Sequence, residues 1–188
     1  DSYHVEYGYS NMGYDLNGAL GVKMANPDKE VYAMVGDGGY IMLNAEVHTM
    51  VQEGLKVNIM LFDNQGWGCI EDLQNNHGGN SYGTVFNVRD KQGELRGECI
   101  FVDFAMNARS FGAVGYTCRT AEELEKALED SKQYTDVPVL FDIKVVPGSM
   151  SDGYESWWRV GVAEVSNSPD VNAAYAKSVE NIAKTRDY

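Results

Sequence analysis

Apolar residues along this 188-residue chain fall in short runs separated by stretches of helical spacing. Val31–Val35 and Val57–Phe62 are near-continuous apolar runs of strand length, and both end in turn-forming residues: Gly-Asp-Gly after the first, Asp-Asn-x-Gly after the second. Such runs fit strands of a parallel sheet buried on both faces. Between them Leu43, Val47, Met50 and Val51 recur at helical spacing, predicting a connecting helix with His48 at the border of its apolar face. Upstream, the small-residue stretch Asn17–Met24 predicts another helix. Downstream, Phe101–Phe111 predicts a helix with Phe101, Phe104, Ala105 and Ala108 on one face, and Tyr116–Arg119 a short strand. Thr120-Ala-Glu-Glu123 has the form of a capping box, and Leu124, Ala127 and Leu128 give the following helix an apolar stripe. Val137–Val146 reads as the last strand, with Pro138 at its start, where proline is tolerated. Alternating strands and helices predict an α/β fold, a doubly wound parallel sheet with helices on both faces.

Two segments depart from that alternation. Gln65–Thr84 is rich in Gly and Asn with Trp67, Ile70 and Leu73 interleaved, which predicts a mobile loop or a broken helix beside the sheet end. From Pro147 onward the chain carries Trp157-Trp158-Arg159, and Ser168-Pro169-Asp170 then opens a final helix to about Thr185. Paired tryptophans beside an arginine suit packing or a subunit contact more than a substrate pocket. The expected division is residues 1–150 as one domain, with 151–188 as a tail whose terminal helix packs on it.

Composition narrows the function. A formal net charge of −13 removes the basic face that nucleic acid or an anionic membrane would require. No apolar run approaches spanning length and no signal peptide opens the chain, so a cytoplasmic protein is expected. Cys69, Cys99 and Cys118 are odd in number and lack Cys-x-x-Cys spacing, which suggests neither a disulfide framework nor a zinc site. The three histidines are scattered; His4 and His77 each adjoin a candidate site segment.

The candidate chemistry lies at the ends of the first two strands. Asp37 and Asn64 are 27 positions apart, a separation that suits one βαβ unit and brings both to the same edge of a sheet. A carboxylate, an amide oxygen and a loop carbonyl such as that of Gly66 make a sparse oxygen site for Mg²⁺ or Ca²⁺ that also holds phosphate oxygens. Gly38 and Gly39 stand where a helix begins, so backbone N–H groups and the helix dipole can meet an anion there. An ordinary βαβ turn with a solvated Asp and a turn-forming Asn is the alternative reading of the same residues.

Gly36-Asp37-Gly38 followed in the mid twenties by Asp63-Asn64 resembles the signature of thiamine-diphosphate enzymes, with Asp63 replacing the first Asn of the usual pair. Tyr9-Ser-Asn-Met-Gly13 resembles their Gly-x-Met-Gly segment, with Ser10 where relatives often have Gly, and Met12 lies 25 residues before Asp37, as in that family. The resemblance implies metal ligation by Asp37, Asn64 and the Gly66 carbonyl, with Mg²⁺ as the ion. It implies cofactor contacts at Ser10, Met12, Gly36, Gly38, Gly39 and Asn64, Met12 being the apolar wedge under a bent thiamine diphosphate and Ser10 acting through its carbonyl. The Glu6–Tyr14 segment and the stretch Gly153-Tyr-Glu-Ser-Trp-Trp-Arg-Val-Gly-Val-Ala-Glu-Val-Ser166 resemble, more narrowly, the trihydroxycyclohexanedione hydrolases of myo-inositol catabolism. That family implies a cytosolic hydrolase, at least dimeric, that cleaves the C–C bond between the carbonyls of a cyclic polyhydroxy dione to give 5-deoxy-glucuronate. Its activating glutamate belongs to an N-terminal pyrimidine-binding domain that nothing here matches, nor is a middle domain present. This chain alone is therefore expected to be silent and to hold no catalytic residue of its own. Two other readings stand beside it: an acetolactate-synthase-like enzyme acting on pyruvate, and a non-catalytic binding or assembly module.

Overall fold

In a computed structural model of the chain, residues 2–6, 8–9, 11–149 and 160–186 are described. Their elements run α1 (Tyr14–Ala25), β1 (Tyr32–Gly36), α2 (Asp37–Leu43), α3 (Glu46–Gln52), β2 (Asn58–Asp63), α4 (Gly68–Asn76), α5 (Phe104–Ser110), β3 (Val114–Cys118), α6 (Ala121–Ser131), β4 (Val139–Lys144) and α7 (Pro169–Ala183). They divide into two compact units, one within Asp1–Gly66 and Phe101–Pro147, the other within Trp67–Ile100 and Gly148–Tyr188. The expected boundary at residue 150 runs differently, because it keeps Trp67–Ile100 with the sheet.

The first unit holds a four-stranded sheet of order β1-β2-β4-β3, parallel throughout. Strand parity decides what each face carries. Val139 and Phe141 of β4 and Cys118 of β3 point to one face, where they cluster with Ala127 of α6 under Leu124 and Leu128. The apolar stripe expected for that helix is thus the one that packs. Thr120 caps it as the sequence predicts, accepting from Glu123 N at 3.2 Å, while the Glu123 carboxylate reaches back to Arg119 N at 2.6 Å. On the opposite face lie Ile59 and Leu61 of β2 and Leu140 of β4, all fully buried, together with Asp142. There α5 lies on Gly115 of β3 so closely that a Cβ at Gly115 would meet Ala105 O at 2.4 Å. Helices therefore cover both faces, as the pattern predicts.

Two expectations shift. The single helix after Asp37 is α2 and α3, interrupted at Asn44–Ala45, although Val47 and Met50 are buried as expected. Phe101 is 78% exposed and lies outside the helix predicted to bury it. The reason is local: the Asp103 side chain accepts from Met106 N at 2.7 Å, an N-cap that starts α5 at Phe104.

In the second unit α4 occupies part of the Gly- and Asn-rich stretch. Its Glu71 accepts hydrogen bonds from Ser81, from Thr84 and, at 3.2 Å, from Asn75. Burial pushes the Glu71 carboxyl up, but these donors together outweigh it and leave it below the usual glutamate range. The Ser168 hydroxyl caps α7 with Pro169 in its first turn, as the sequence predicts.

Candidate functional site

The carboxyl ends of β1 and β2 meet at one edge because the strands are parallel and their register pairs Gly36 with Phe62. Asp37 follows β1 and is fully buried. Its Oδ1 accepts from Gly38 N at 2.7 Å, and its Oδ2 accepts from Gly66 N at 3.0 Å. One carboxylate thus ties together the loops after both strands. One terminal atom of the Asn64 carboxamide lies 2.8 Å from Gly66 O and 3.2 Å from Asp37 Oδ1. Gln65 between them has φ of 66°, and is the one non-glycine with positive φ among the described residues. Left-handed backbone at such a residue persists where its surroundings enforce it.

Asp37, Asn64 and Gly66, the three groups expected to hold a metal, are therefore brought together. If the nearby Asn64 atom is nitrogen, the amide donates to Gly66 O and Asp37 Oδ1, which satisfies the site without a cation. Turned over, the amide sets its oxygen 2.8 Å from Gly66 O and 3.2 Å from Asp37 Oδ1. Octahedral Mg²⁺ with oxygens at ~2.1 Å separates neighbouring ligands by about 3.0 Å, so a half-turn of one amide converts the site to a cation's donor set. Among the described residues no group of three or more His, Cys, Asp or Glu converges as a metal cage. One carboxylate with two neutral oxygens leaves positions for water and phosphate, the usual arrangement for Mg²⁺.

Charge favours a cation here as well. Asp63 and Asp142 are 5% and 0% exposed, and Lys144 Nζ lies 2.5 Å from Asp63 Oδ2 and 2.8 Å from Asp142 Oδ2. The contact to Asp142 is an ion pair without directed hydrogen-bond geometry, since neither Asp142 oxygen has a hydrogen-bond partner among the described residues. Two buried carboxylates share one ammonium, and Asp37 stands beside Asp63, so at full ionisation negative charge exceeds positive charge here. Without a cation, burial and then the neighbouring Asp63 side chain push the Asp37 carboxyl up to about 7, although the Gly38 and Gly66 amides hold it down. Burial likewise raises Asp142 against the pull of Lys144, and burial with the Asp142 charge raises the Tyr40 phenol. For Lys144, burial works downward and its two carboxylate neighbours overcome it, so its net shift is upward.

Gly36 has open space where a Cβ would stand, whereas one at Gly39 would approach Val35 Cγ2 at 3.3 Å, so Gly39 lets α2 lie close on β1. The Gly38 amide, expected to face an anion, is bonded to Asp37 instead. Met12 is 38% exposed, in a segment tied by Glu6, which accepts from Tyr9 N at 3.0 Å and Asn11 N at 2.9 Å. Beside it Gly13 has φ of 86° and packs against the Leu43 side chain, where a Cβ would come within 2.5 Å. Ser10 and Trp157-Trp158-Arg159 lie outside the described residues. His4 Nε2 is 2.7 Å from the Tyr14 hydroxyl, His77 Nδ1 is 2.7 Å from Leu73 O, and Trp67 packs edge-on to Phe86. The pairing of Asp142 with Lys144 was not anticipated from the sequence; the signal was two charges inside an otherwise buried strand, Val139–Lys144.

Comparison with known proteins bears on this arrangement. Residues 1–143 match the family model described as thiamine pyrophosphate enzyme, C-terminal TPP binding domain. Over its whole length the chain is 52% identical to the 3D-(3,5/4)-trihydroxycyclohexane-1,2-dione hydrolase 2 of Bacillus cereus and 52% identical to the hydrolase of that name from Geobacillus thermodenitrificans. It is 48% identical to the one from Clostridium tetani. The chain spans 29% of the length of each of these relatives. Among solved structures, the thiamine diphosphate-dependent 4-hydroxybenzoylformate decarboxylase of Rhodococcus jostii shares the fold, with a TM-score of 0.57 and 24% identity over 72% of this chain and 23% of that one.

Proposed function

Because this chain belongs to the thiamine pyrophosphate enzymes as a C-terminal TPP-binding domain, we propose that it is the Mg²⁺- and diphosphate-holding part of a ring-opening hydrolase. The reaction is hydrolysis of 3D-(3,5/4)-trihydroxycyclohexane-1,2-dione to 5-deoxy-glucuronate in inositol degradation. The enzyme is a cytoplasmic homo-oligomer, at least a dimer, completed by pyrimidine-binding and middle domains outside this chain. The observation that carries the reading is the convergence of Asp37, Asn64 and Gly66 at one sheet edge, in a chain about half identical to hydrolases of that name. Among the described residues no helix is long and apolar enough to cross a membrane, in keeping with this reading.

Thiamine diphosphate, when bound, supplies an electron sink for the cleaved C–C bond. The chain's own residues hold and orient it. Asp37, the Asn64 amide oxygen and the Gly66 carbonyl would hold Mg²⁺ for the diphosphate, Met12 would support the cofactor body, and Ser10 would act through its carbonyl. With the family's activating glutamate expected in the N-terminal domain, this chain alone is expected to turn over neither the dione nor pyruvate. The deciding experiment gives the full-length protein the cyclic dione and pyruvate separately, with Mg²⁺ and thiamine diphosphate, and identifies products by mass spectrometry. Formation of 5-deoxy-glucuronate is expected. Acetolactate with the dione untouched would keep the cofactor and overturn the substrate.

Protonation of Asp37 predicts a pH dependence. In the metal-free protein its carboxyl is raised from the ordinary value of 3.8 to about 7, so its contribution to stability is fully present below the unfolded value. That contribution is lost as pH rises through about 7. Metal requires the ionised form, so Mg²⁺ affinity falls about tenfold per pH unit below about 7. The increase in thermal midpoint on adding Mg²⁺ and thiamine diphosphate to the full-length protein is therefore larger at pH 8 than at pH 6. Equal increases at the two pH values would remove Asp37 from the binding step.

A further inference from the structure

Lys144 has no part in the ligand set, yet it ends β4 directly beside the metal loop. Asp63 and Lys144 are register partners in parallel strands, so their side chains share one face of the sheet. The Lys144 ammonium meets Asp63 Oδ2 at 2.5 Å and Asp142 Oδ2 at 2.8 Å, and stands 5.8 Å from the centroid of the Phe104 ring. The other Asp63 oxygen accepts from Gln65 N at 3.1 Å. Asp63 is therefore held from two sides, by an ammonium from the neighbouring strand and by the amide of the left-handed residue in the turn. That turn delivers both remaining ligand groups, because Gln65 lies between the Asn64 carboxamide and Gly66. Gly66 gives its N–H to Asp37 and its carbonyl to the same point as Asn64.

We propose that Lys144, acting through Asp63, is a positioning residue that fixes the Asn64–Gly66 turn in its metal-binding conformation. The proposal rests on the reading of Asp37, Asn64 and Gly66 as the Mg²⁺ site. The two-sided hold on Asp63 opposes the tendency of a non-glycine residue to leave positive φ. Asp142 keeps the ammonium inside the sheet face, under Phe104. A side chain of similar length without charge would leave Asp63 without its ammonium, tied by the Gln65 amide and its contact with Asp37, so the turn would sample conformations in which Gly66 O faces away. Groups outside a metal's ligand shell that orient its ligands commonly change affinity by roughly 10- to 100-fold.

The test uses the full-length protein with Mn²⁺ as the probe, its binding read by electron paramagnetic resonance in the presence of thiamine diphosphate and without substrate. Lys144→Met and Asp63→Asn are each expected to weaken Mn²⁺ binding roughly 10- to 100-fold. Lys144→Arg, which keeps the charge, recovers most of the affinity, and the double variant Lys144→Met, Asp63→Asn is no weaker than the worse single one. Thermal midpoints measured without metal separate positioning from simple support of the sheet. A Lys144→Met protein with a lowered midpoint but unchanged Mn²⁺ affinity overturns the proposal. If Lys144→Met does not fold, Asp63→Asn carries the test, and unchanged Mn²⁺ affinity there has the same meaning. A wild type that binds no Mn²⁺ would overturn the metal reading itself, an outcome distinct from equal binding by wild type and variants.

Discussion

Asp37→Ala in the full-length enzyme is expected to abolish Mg²⁺-dependent binding of thiamine diphosphate, and with it turnover. The effect should exceed the roughly 10- to 100-fold that changes outside a ligand shell produce, because three contributions go at once. The site loses the one ionised group among its expected ligands. Gly66 N loses the acceptor that holds its loop to the end of β1, and Gly38 N loses the acceptor in its own turn. Yet the folded apo protein is not expected to suffer in proportion. Asp37 is fully buried, raised to about 7, and beside the Asp63 carboxylate, so removing it also relieves crowding of like charge. The signature is a split: cofactor binding lost by calorimetry, while the thermal midpoint of the metal-free protein changes little or rises near neutral pH. Asp37→Asn should separate the terms further, since it keeps the size of the side chain and loses the charge. A biological role left unchanged by Asp37→Ala would point to the non-catalytic binding or assembly module.

The residues that made the site legible are those whose roles follow from the chain's local order. Val57–Phe62 reads as a strand because a parallel strand covered on both faces leaves little polar alternation, whereas β1, at the sheet edge, keeps its apolar run although Tyr32 and Met34 are exposed. The turn residues after them then place Asp37 and Asn64 without knowledge of anything distant. Where contacts are distant, the sequence is quieter. β3 starts at Val114, two residues before the expected strand, because Val114 N donates to Pro138 O at 3.0 Å across the sheet. Nothing in Val114-Gly115 announces that partner. Phe101 looks like core by its chemistry but precedes the capping Asp103, and the cap overrides the apolar pattern. Asp142 and Lys144 resemble the polar fringe of a strand end. Only the register, which sets Lys144 beside Asp63, shows that they are counter-charges at the metal loop, Asp142 buried and Lys144 partly so. The O/N assignment of Asn64 carries a different kind of information: the amide fits one orientation as a hydrogen-bond donor and the other as a ligand, and the sequence names the residue without choosing between them.

Gly115→Ala is expected to be among the most damaging single-methyl changes in the sheet. Replacing glycine by alanine inside a strand would ordinarily help, since it reduces the freedom of the unfolded chain by about 0.4–1 kcal/mol. Here the sign reverses. The added Cβ would stand 2.4 Å from Ala105 O and 3.0 Å from Ala105 C and Cα, all backbone atoms of α5 that no rotamer change can move. Relief requires α5 to lift from β3, an overpacking cost typically of about 1–3 kcal/mol and occasionally more. That movement would not stay local. Phe104, on the first turn of α5, packs edge-on against Tyr40 of α2 at 5.7 Å and lies beside the Lys144 ammonium, so displacing the helix opens the cover over the Lys144, Asp63 and Asp142 cluster. Gly115→Ala should therefore lower the denaturation midpoint and also weaken Mn²⁺ binding in the protein that remains folded. Ala105→Gly cannot rescue it, because the clash is with main-chain atoms. A midpoint equal to or above wild type would show that α5 has room over β3, and would detach the helix cover from the metal loop it is argued to protect.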